Sequence, residues 1–259
     1  ALATVISQVL AAALVCITLI RESDATHLDL RKLHIDRSMA LEIIRIGVPA
    51  GLQGMAFSLS NVVVQSSINS FGSSVIVAGN SASNNIENFV YIGMSAFTQA
   101  CITFTSQNVG AKNLRRVKSI FNHSMVLTTL SAMLMGFLVW FFGEFLLSFY
   151  TNDPAVVEAG MLRLFWVSMF LFLNGVLDVF VSSMRGMGYS SLPTIVMLAG
   201  ICGVRLLWLL LIFPLHRTLV TIYLCFPLSW TITSIVLGFI WLYCYRHMMR
   251  TNGEQAEAN

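Results

Sequence analysis

Asp178 stands inside FLNGVLDVFVSSMRGMG, residues 172–188, one helical turn after Asn174 and otherwise among Phe, Leu, Val and Met. An ionised Asp at the centre of a bilayer costs about 2.5–3.5 kcal/mol on insertion scales, and carboxylates kept in such places usually mark ion or proton routes. A carboxyl there can hold a proton or a cation during part of a cycle, with Asn174 beside it on the same helix face. The competing reading is a structural ion pair with Arg205 on the following helix. The two lie at depths differing by roughly 10 Å at 1.5 Å per residue, which an extended arginine can bridge. A pair that breaks and re-forms satisfies both.

Two further sets of polar residues have helical spacing. Gly54, Ser58, Asn61, Gln65 and Asn69 recur at intervals of four, three, four and four; Gln53 adjoins them. Asn84, Asn88, Tyr91, Ser95 and Thr98 recur at four, three, four and three. Each set forms one stripe on one helix. Ser, Asn and Gln also cross-link membrane helices as interhelical bonds, but glue needs a few contacts rather than a whole face. Two adjacent stripes therefore favour a hydrated cavity lined by Gln53, Ser58, Asn61, Gln65, Asn88, Tyr91 and Ser95.

The elements that position these residues follow from composition. The 259-residue chain is 56% hydrophobic and 10% charged, with mean hydropathy +0.77; soluble domains carry about 25% charged residues. Seven apolar segments approach the roughly 20 residues that cross a hydrocarbon core: 1–20, 47–70, 86–107, 120–143, 160–184, 191–213 and 219–244. They are too long for barrel strands and lack apolar–polar alternation. The fold class is an all-α, polytopic membrane bundle. Lys and Arg cluster at 21–45, at 112–118, at Arg185 and beyond 244, whereas 71–85 and 148–159 contain none. The positive-inside rule puts the first set and the C-terminus on the cytoplasmic side of the cell membrane.

Residue 1 is Ala, with no basic n-region before the apolar run and no A-x-A cleavage site after it, so 1–20 is expected to be a span of a chain entered in mid-protein, not a signal peptide. Residues 21–45 read as a cytoplasmic linker ending in an amphipathic piece capped by Asp36 or Ser38. Pro49 falls in the first turns of the next span. Residues 70–85, rich in Gly, Ser and Asn, read as an outer loop, and Asn152-Asp153-Pro154 as a turn with a helix start after it. Gly186, Gly188 and Pro193 mark an inner turn, and 251–259 a tail without order. The five cysteines and five histidines show no metal-ligand, paired-disulfide or catalytic spacing. No metal, cofactor, enzymatic activity or nucleic-acid partner is expected.

Four stretches carry a resemblance: IRIGVPAGLQG (44–54), TFTSQNVGAKNLRRVKSIF (103–121), LDVFVSSMRGMGYSSLP (177–193) and FPLSW (226–230). In this order the chain resembles the C-terminal half of the multidrug and toxic compound extrusion (MATE) family of efflux transporters. The resemblance implies a twelve-helix antiporter of two six-helix lobes. Segment 1–20 is then the last helix of the N-terminal lobe, 46–245 the C-terminal lobe and 246–259 a cytoplasmic tail. The partners implied are a small organic substrate, lipophilic or cationic, the lipid bilayer and the absent N-terminal lobe; the coupling ion is Na⁺ or H⁺. The carboxylates that such transporters use for the cation fall here at Phe57 and at or near Asn174, so this chain departs from the pattern; Asp178, one turn away, is one substitute, Gln53, Asn61 and Gln65 are the polar substitutes in the first helix of the lobe, and a site in the absent N-terminal lobe is the alternative.

The function expected is thus cation-coupled export of drugs or organic metabolites by alternating access. A flippase for lipid-linked saccharides has related architecture but calls for a strongly basic cavity, for which Arg163 and Arg205 are the candidates. A seven-helix receptor fits the helix count. A retinal sensor is excluded, because Lys32, Lys112 and Lys118 all lie in polar loops.

Overall fold

The computed structural model describes residues 2–21 and 36–257, all of whose regular elements are helices. Residues 22–35 of the expected linker lie outside the described residues. The chain divides into two units, Ala1–Arg45 and Ile46–Asn259.

In the first unit α1 (Leu2–Arg21) has no buried residue. Twenty residues at 1.5 Å rise give about 30 Å, a bilayer's hydrocarbon thickness. α2 (Arg37–Asn69) starts in this unit. Its cap is Asp36, whose Oδ1 accepts from the Ser38 amide at 2.8 Å, the Met39 amide at 3.1 Å and the Ser38 hydroxyl at 2.6 Å. The Ser38 hydroxyl and the two amides hold the Asp36 carboxyl below its usual range. The amphipathic piece and the second span are thereby one helix. Pro49 consequently lies well inside α2 rather than in its first turns.

The second unit holds the remainder. α3 runs Ser74–Gly110, so the expected outer loop at 70–85 shrinks to the turn around Gly72, which takes φ +67°. Ser73 caps α3 by accepting from the Ile76 amide. The Gly, Ser and Asn of 74–85 are helical because their small size lets α3 approach α6. A Cβ on Gly79 would stand 2.7 Å from Val156 O and 2.8 Å from Gly160 N, and the Ser83 hydroxyl donates to Gly160 O at 2.9 Å. Small residues at helix contacts are how membrane helices pack closely.

α4 is Leu114–Phe141, followed by the short α5 (Gly143–Ser148). The fifth span has three parts: α6 (Pro154–Arg163), a π-helical turn (Leu164–Ser168) and α7 (Leu171–Gly186). As expected, Asp153 and Pro154 start it, with Asp153 accepting from the Ala155 amide at 2.9 Å. The sixth span is likewise α8 (Ser191–Met197), a π turn (Leu198–Gly203) and α9 (Val204–Leu211). The inner turn before it uses Gly188 at φ +91°. α10 runs Leu219–Glu257 through Pro227; the expected tail is helical as far as Glu257.

Six helices among the described residues are long and apolar enough to cross a membrane. At 37 residues, about 55 Å, α3 is long enough too, but its polar face lowers its hydropathy below theirs. Polarity is inverted relative to a soluble bundle. On α4, Val126, Leu130, Leu134 and Phe141 are exposed, while Thr128, Ala132 and Gly136 are buried. α3, α4, α7 and α10 meet around a core in which Phe121 stacks on Trp241 at 3.9 Å and Trp241 Nε1 donates to Ser183 Oγ at 2.9 Å.

The α3–α6 approach yields a prediction. Gly79→Leu should lower the Tm of the purified full-length protein by several degrees, since the atoms it meets are backbone and overpacking costs about 1–3 kcal/mol or more. An unchanged Tm would mean that the two helices separate freely there.

Candidate functional site

A cavity of about 420 Å³ opens among α2, α3, α7, α9 and α10 in the second unit. Its construction begins with the Gly79–Gly160 contact. One turn beyond Gly160, Arg163 is brought against α3 and is 5% exposed. Its Nε and Nη2 donate to the two Glu87 oxygens at 3.0 and 2.7 Å, a forked pair. Nη1 donates to Asn80 Oδ1 at 2.6 Å and Nη2 also to Asn84 Oδ1 at 3.1 Å. Asn80 in turn donates to Gln65 Oε1 at 3.0 Å, and Gln65 to Asn69 Oδ1 at 2.9 Å. One chain of hydrogen bonds thus joins α2, α3 and α6 and satisfies the buried cation.

On the α7 side, Asn174 and Asp178 both line the cavity. The groups acting on the Asp178 charge are the Arg185 guanidinium and the Tyr91 hydroxyl. Arg185, seven residues further along α7, is half-buried and donates through Nη2 to Gln53 Oε1 at 2.7 Å. Its Nε has no partner among the described residues. The expected Asp178–Arg205 ion pair is not made: among the described residues the buried ion pair is Arg163–Glu87. Arg205 is instead held by α10 and α2. Its Nε donates to Ser229 Oγ and its Nη1 to Asn61 Oδ1, each at 3.3 Å. Its guanidinium carbon lies 4.3 Å from the centre of the Phe226 ring. The same ring has Arg163 at 5.6 Å, so two guanidiniums lie within reach of the Phe226 ring, whose negative face attracts cations.

Both π turns adjoin this site: one begins right after Arg163, and the other ends two residues before Arg205. Such turns shift the register of the side chains that follow and recur at functional sites.

Of the residues read from the sequence as cavity lining, Gln53, Asn61, Asn88 and Tyr91 line it together with Asn174, Asp178 and Arg205. Ser58, Gln65 and Ser95 do not. The Ser58 and Ser95 hydroxyls bond back to the carbonyls of Gly54 at 3.1 Å and Ile92 at 2.8 Å, a local partner always available to a helical serine. Gln65 is engaged by Asn69 and Asn80. Phe57, the position where the resemblance would have had a carboxylate, is also in the wall. The sequence stripes do not single out Glu87, which the structure places in the wall. Its signal was its place one residue before Asn88, within the periodic Asn84–Asn88–Tyr91 stripe. Arg185 was assigned to the cytoplasmic turn, yet it reaches the cavity.

Residues 49–210 match the MatE family. The chain is 27% identical over 146 residues to a probable multidrug resistance protein of Bacillus subtilis, YpnP, covering 56% of this chain and 33% of that one. It is 30% identical over 145 residues to a probable multidrug resistance protein NorM of Listeria monocytogenes, covering 56% and 32%. It is 23% identical over 211 residues to the multidrug export protein MepA of Staphylococcus aureus, covering 81% and 46%. Among solved structures it superposes on a Pyrococcus furiosus MOP superfamily transporter described as having a binding pocket of reverse polarity. The TM-score is 0.85 at 15% identity, over 95% of this chain and 56% of that one. It also superposes on the Vibrio cholerae MATE transporter VcmN in its bent form, with a TM-score of 0.75 at 17% identity, over 86% and 51%. The chain thus spans a third to a half of the length of these curated relatives, and just over half of the solved structures. With a family match over more than half of its residues and the fold shared with these transporters, the chain belongs to the MatE family.

Proposed function

We propose that this chain is part of a cation-coupled antiporter that exports small organic molecules across the cell membrane by alternating access. In this reading residues 46–245 form one six-helix lobe, with 246–259 its cytoplasmic continuation. α1 closes the sequence of the other lobe, 21–45 link the two on the cytoplasmic side, and the 420 Å³ cavity faces the substrate path. The observation that carries the proposal is the position of Asp178 in the cavity wall beside Asn174, with Tyr91 and Arg185 acting on its charge. An intramembrane carboxyl that faces an open cavity can exchange a proton or Na⁺ with solution, which one sealed in the core cannot. The basic residues at 112–118, at 185 and at the end of α10 support a cytoplasmic C-terminus.

The flippase reading has less support. Of the arginines at the cavity, Arg163 is neutralised by Glu87 and Asp178 acts on Arg185, which leaves a single unmatched cation for a multiply charged pyrophosphate.

The test is efflux by the full-length protein in vesicles, under an imposed pH gradient and an imposed Na⁺ gradient separately. Two fluorescent probes of fixed charge serve, 1-naphthalenesulfonate and (1-naphthylmethyl)trimethylammonium. At least one probe should be concentrated under one gradient and released when that gradient is collapsed. Movement of neither probe under either gradient contradicts the proposal.

A further inference from the structure

The cavity brings together three guanidiniums and two carboxylates, and they do not balance. Glu87 is spent in the forked pair with Arg163, and the one other carboxylate in the wall, Asp178, lies on the same helix as Arg185, with whose charge it interacts. Arg205 is 3% exposed, lines the cavity, and has only neutral partners: the Asn61 amide oxygen and the Ser229 hydroxyl, both at 3.3 Å, and the face of Phe226. A buried cation without an anion is costly. Two more donors at the cavity lack acceptors: Arg185 Nε, and the Nε1 of Trp230, which is itself 3% exposed and lies 5.9 Å from the Arg205 guanidinium by its ring centre. Unmet donors plus an unmet positive charge call for an acceptor that is itself charged. The aromatic faces of Phe226, Trp230 and Phe57 in the same wall suit a flat apolar body attached to it.

We propose that the cavity binds small organic anions, whose carboxylate, sulfonate or phosphate docks on Arg205 while an aromatic or apolar portion lies against Phe226 and Trp230. This rests on the export reading above and names its substrate class, replacing the lipophilic or cationic substrate expected from the sequence. Asp178, on α7, is left to the coupling cation, so anion and cation have different residues of one cavity wall to bind. An anionic lipid headgroup carries the same chemistry, and one arm of the experiment separates the two.

Purified full-length protein in neutral detergent is titrated calorimetrically with the same two naphthyl probes. The sulfonate should bind at least roughly tenfold more tightly than the trimethylammonium, the scale of one charge-assisted contact. Arg205→Gln should remove that preference, and Arg205→Lys, which keeps the charge without the fork, should retain part of it. Tighter binding of the trimethylammonium, or undiminished sulfonate binding by Arg205→Gln, overturns the proposal. Should Arg205→Gln fail to fold, the wild-type preference and Arg205→Lys still decide. Complete loss of sulfonate binding on adding phosphatidylglycerol assigns the site to a lipid headgroup and overturns the organic-anion reading. In the vesicle assay, export of the ammonium probe alone sinks this substrate class but not the antiporter, whereas immobility of both probes sinks the antiporter.

Discussion

Arg163→Met is expected to leave little folded protein, with the full-length transporter losing most of its purified yield and the remainder melting well below wild type. Removing one partner of a buried pair strands the other, at a cost of about 3–5 kcal/mol, against a net stability of about 5–15 kcal/mol for a typical domain. Here the stranded group is Glu87, 6% exposed and, among the described residues, held by no other side chain. The loss spreads, because Asn80 and Asn84 give up their donor in the same step and Asn80 is the link to Gln65 of α2. The double change Arg163→Met with Glu87→Leu should recover much of the yield, since replacing both members by apolar groups is often neutral or better. Equal yields from Arg163→Met and wild type would show that the clasp between α3 and α6 contributes nothing to folding, leaving the Gly79–Gly160 contact and the Ser83–Gly160 hydrogen bond to hold them.

The second large effect is on transport. Asp178→Asn keeps the size and most hydrogen-bonding capacity of the side chain and removes its ability to exchange a charge. Expression and Tm should change little, because Asp178 is half-buried at a cavity wall and takes no part in the Glu87–Arg163 clasp. Cation-driven efflux should fall to the level of empty vesicles. One charge moved across ~100 mV supplies about 2.3 kcal/mol, roughly a fifty-fold accumulation, and that drive disappears with the exchangeable group. Asp178→Glu should retain a fraction of the activity.

The membrane class and most span positions were legible because hydrophobic length is a physical requirement of the bilayer that no tertiary contact overrides. The starts at Asp36 and Asp153 were legible for the same kind of reason: a short acceptor ahead of free amides is a local device. The stretch at 74–85 was misread because a watery loop and a close helix contact select the same small residues. Only the approach of α6 to Gly79 and Ser83 tells them apart. Glu87 falls at the edge of the 86–107 segment, and only the approach of α6 to α3 brings Arg163 to it. The stripes were located by period, but period gives a face and not a partner: the hydroxyls of Ser58 and Ser95 satisfy themselves on their own helices. The Asp178–Arg205 pairing failed because depth arithmetic along one axis ignores azimuth. Arg205 turns toward α2 and α10, while Arg185, read as part of the turn, is the cation facing Asp178.

Whether Asp178 couples a cation to substrate movement is decided by gradient-driven efflux through the Asp178→Asn full-length protein beside wild type. Both are reconstituted at matched density, and the pH and Na⁺ gradients are imposed one at a time. Wild type should concentrate the naphthyl probe under one of the two gradients and Asp178→Asn under neither, with both proteins melting at similar temperatures. Undiminished gradient-driven efflux by Asp178→Asn would contradict the account and move the coupling group elsewhere in the transporter.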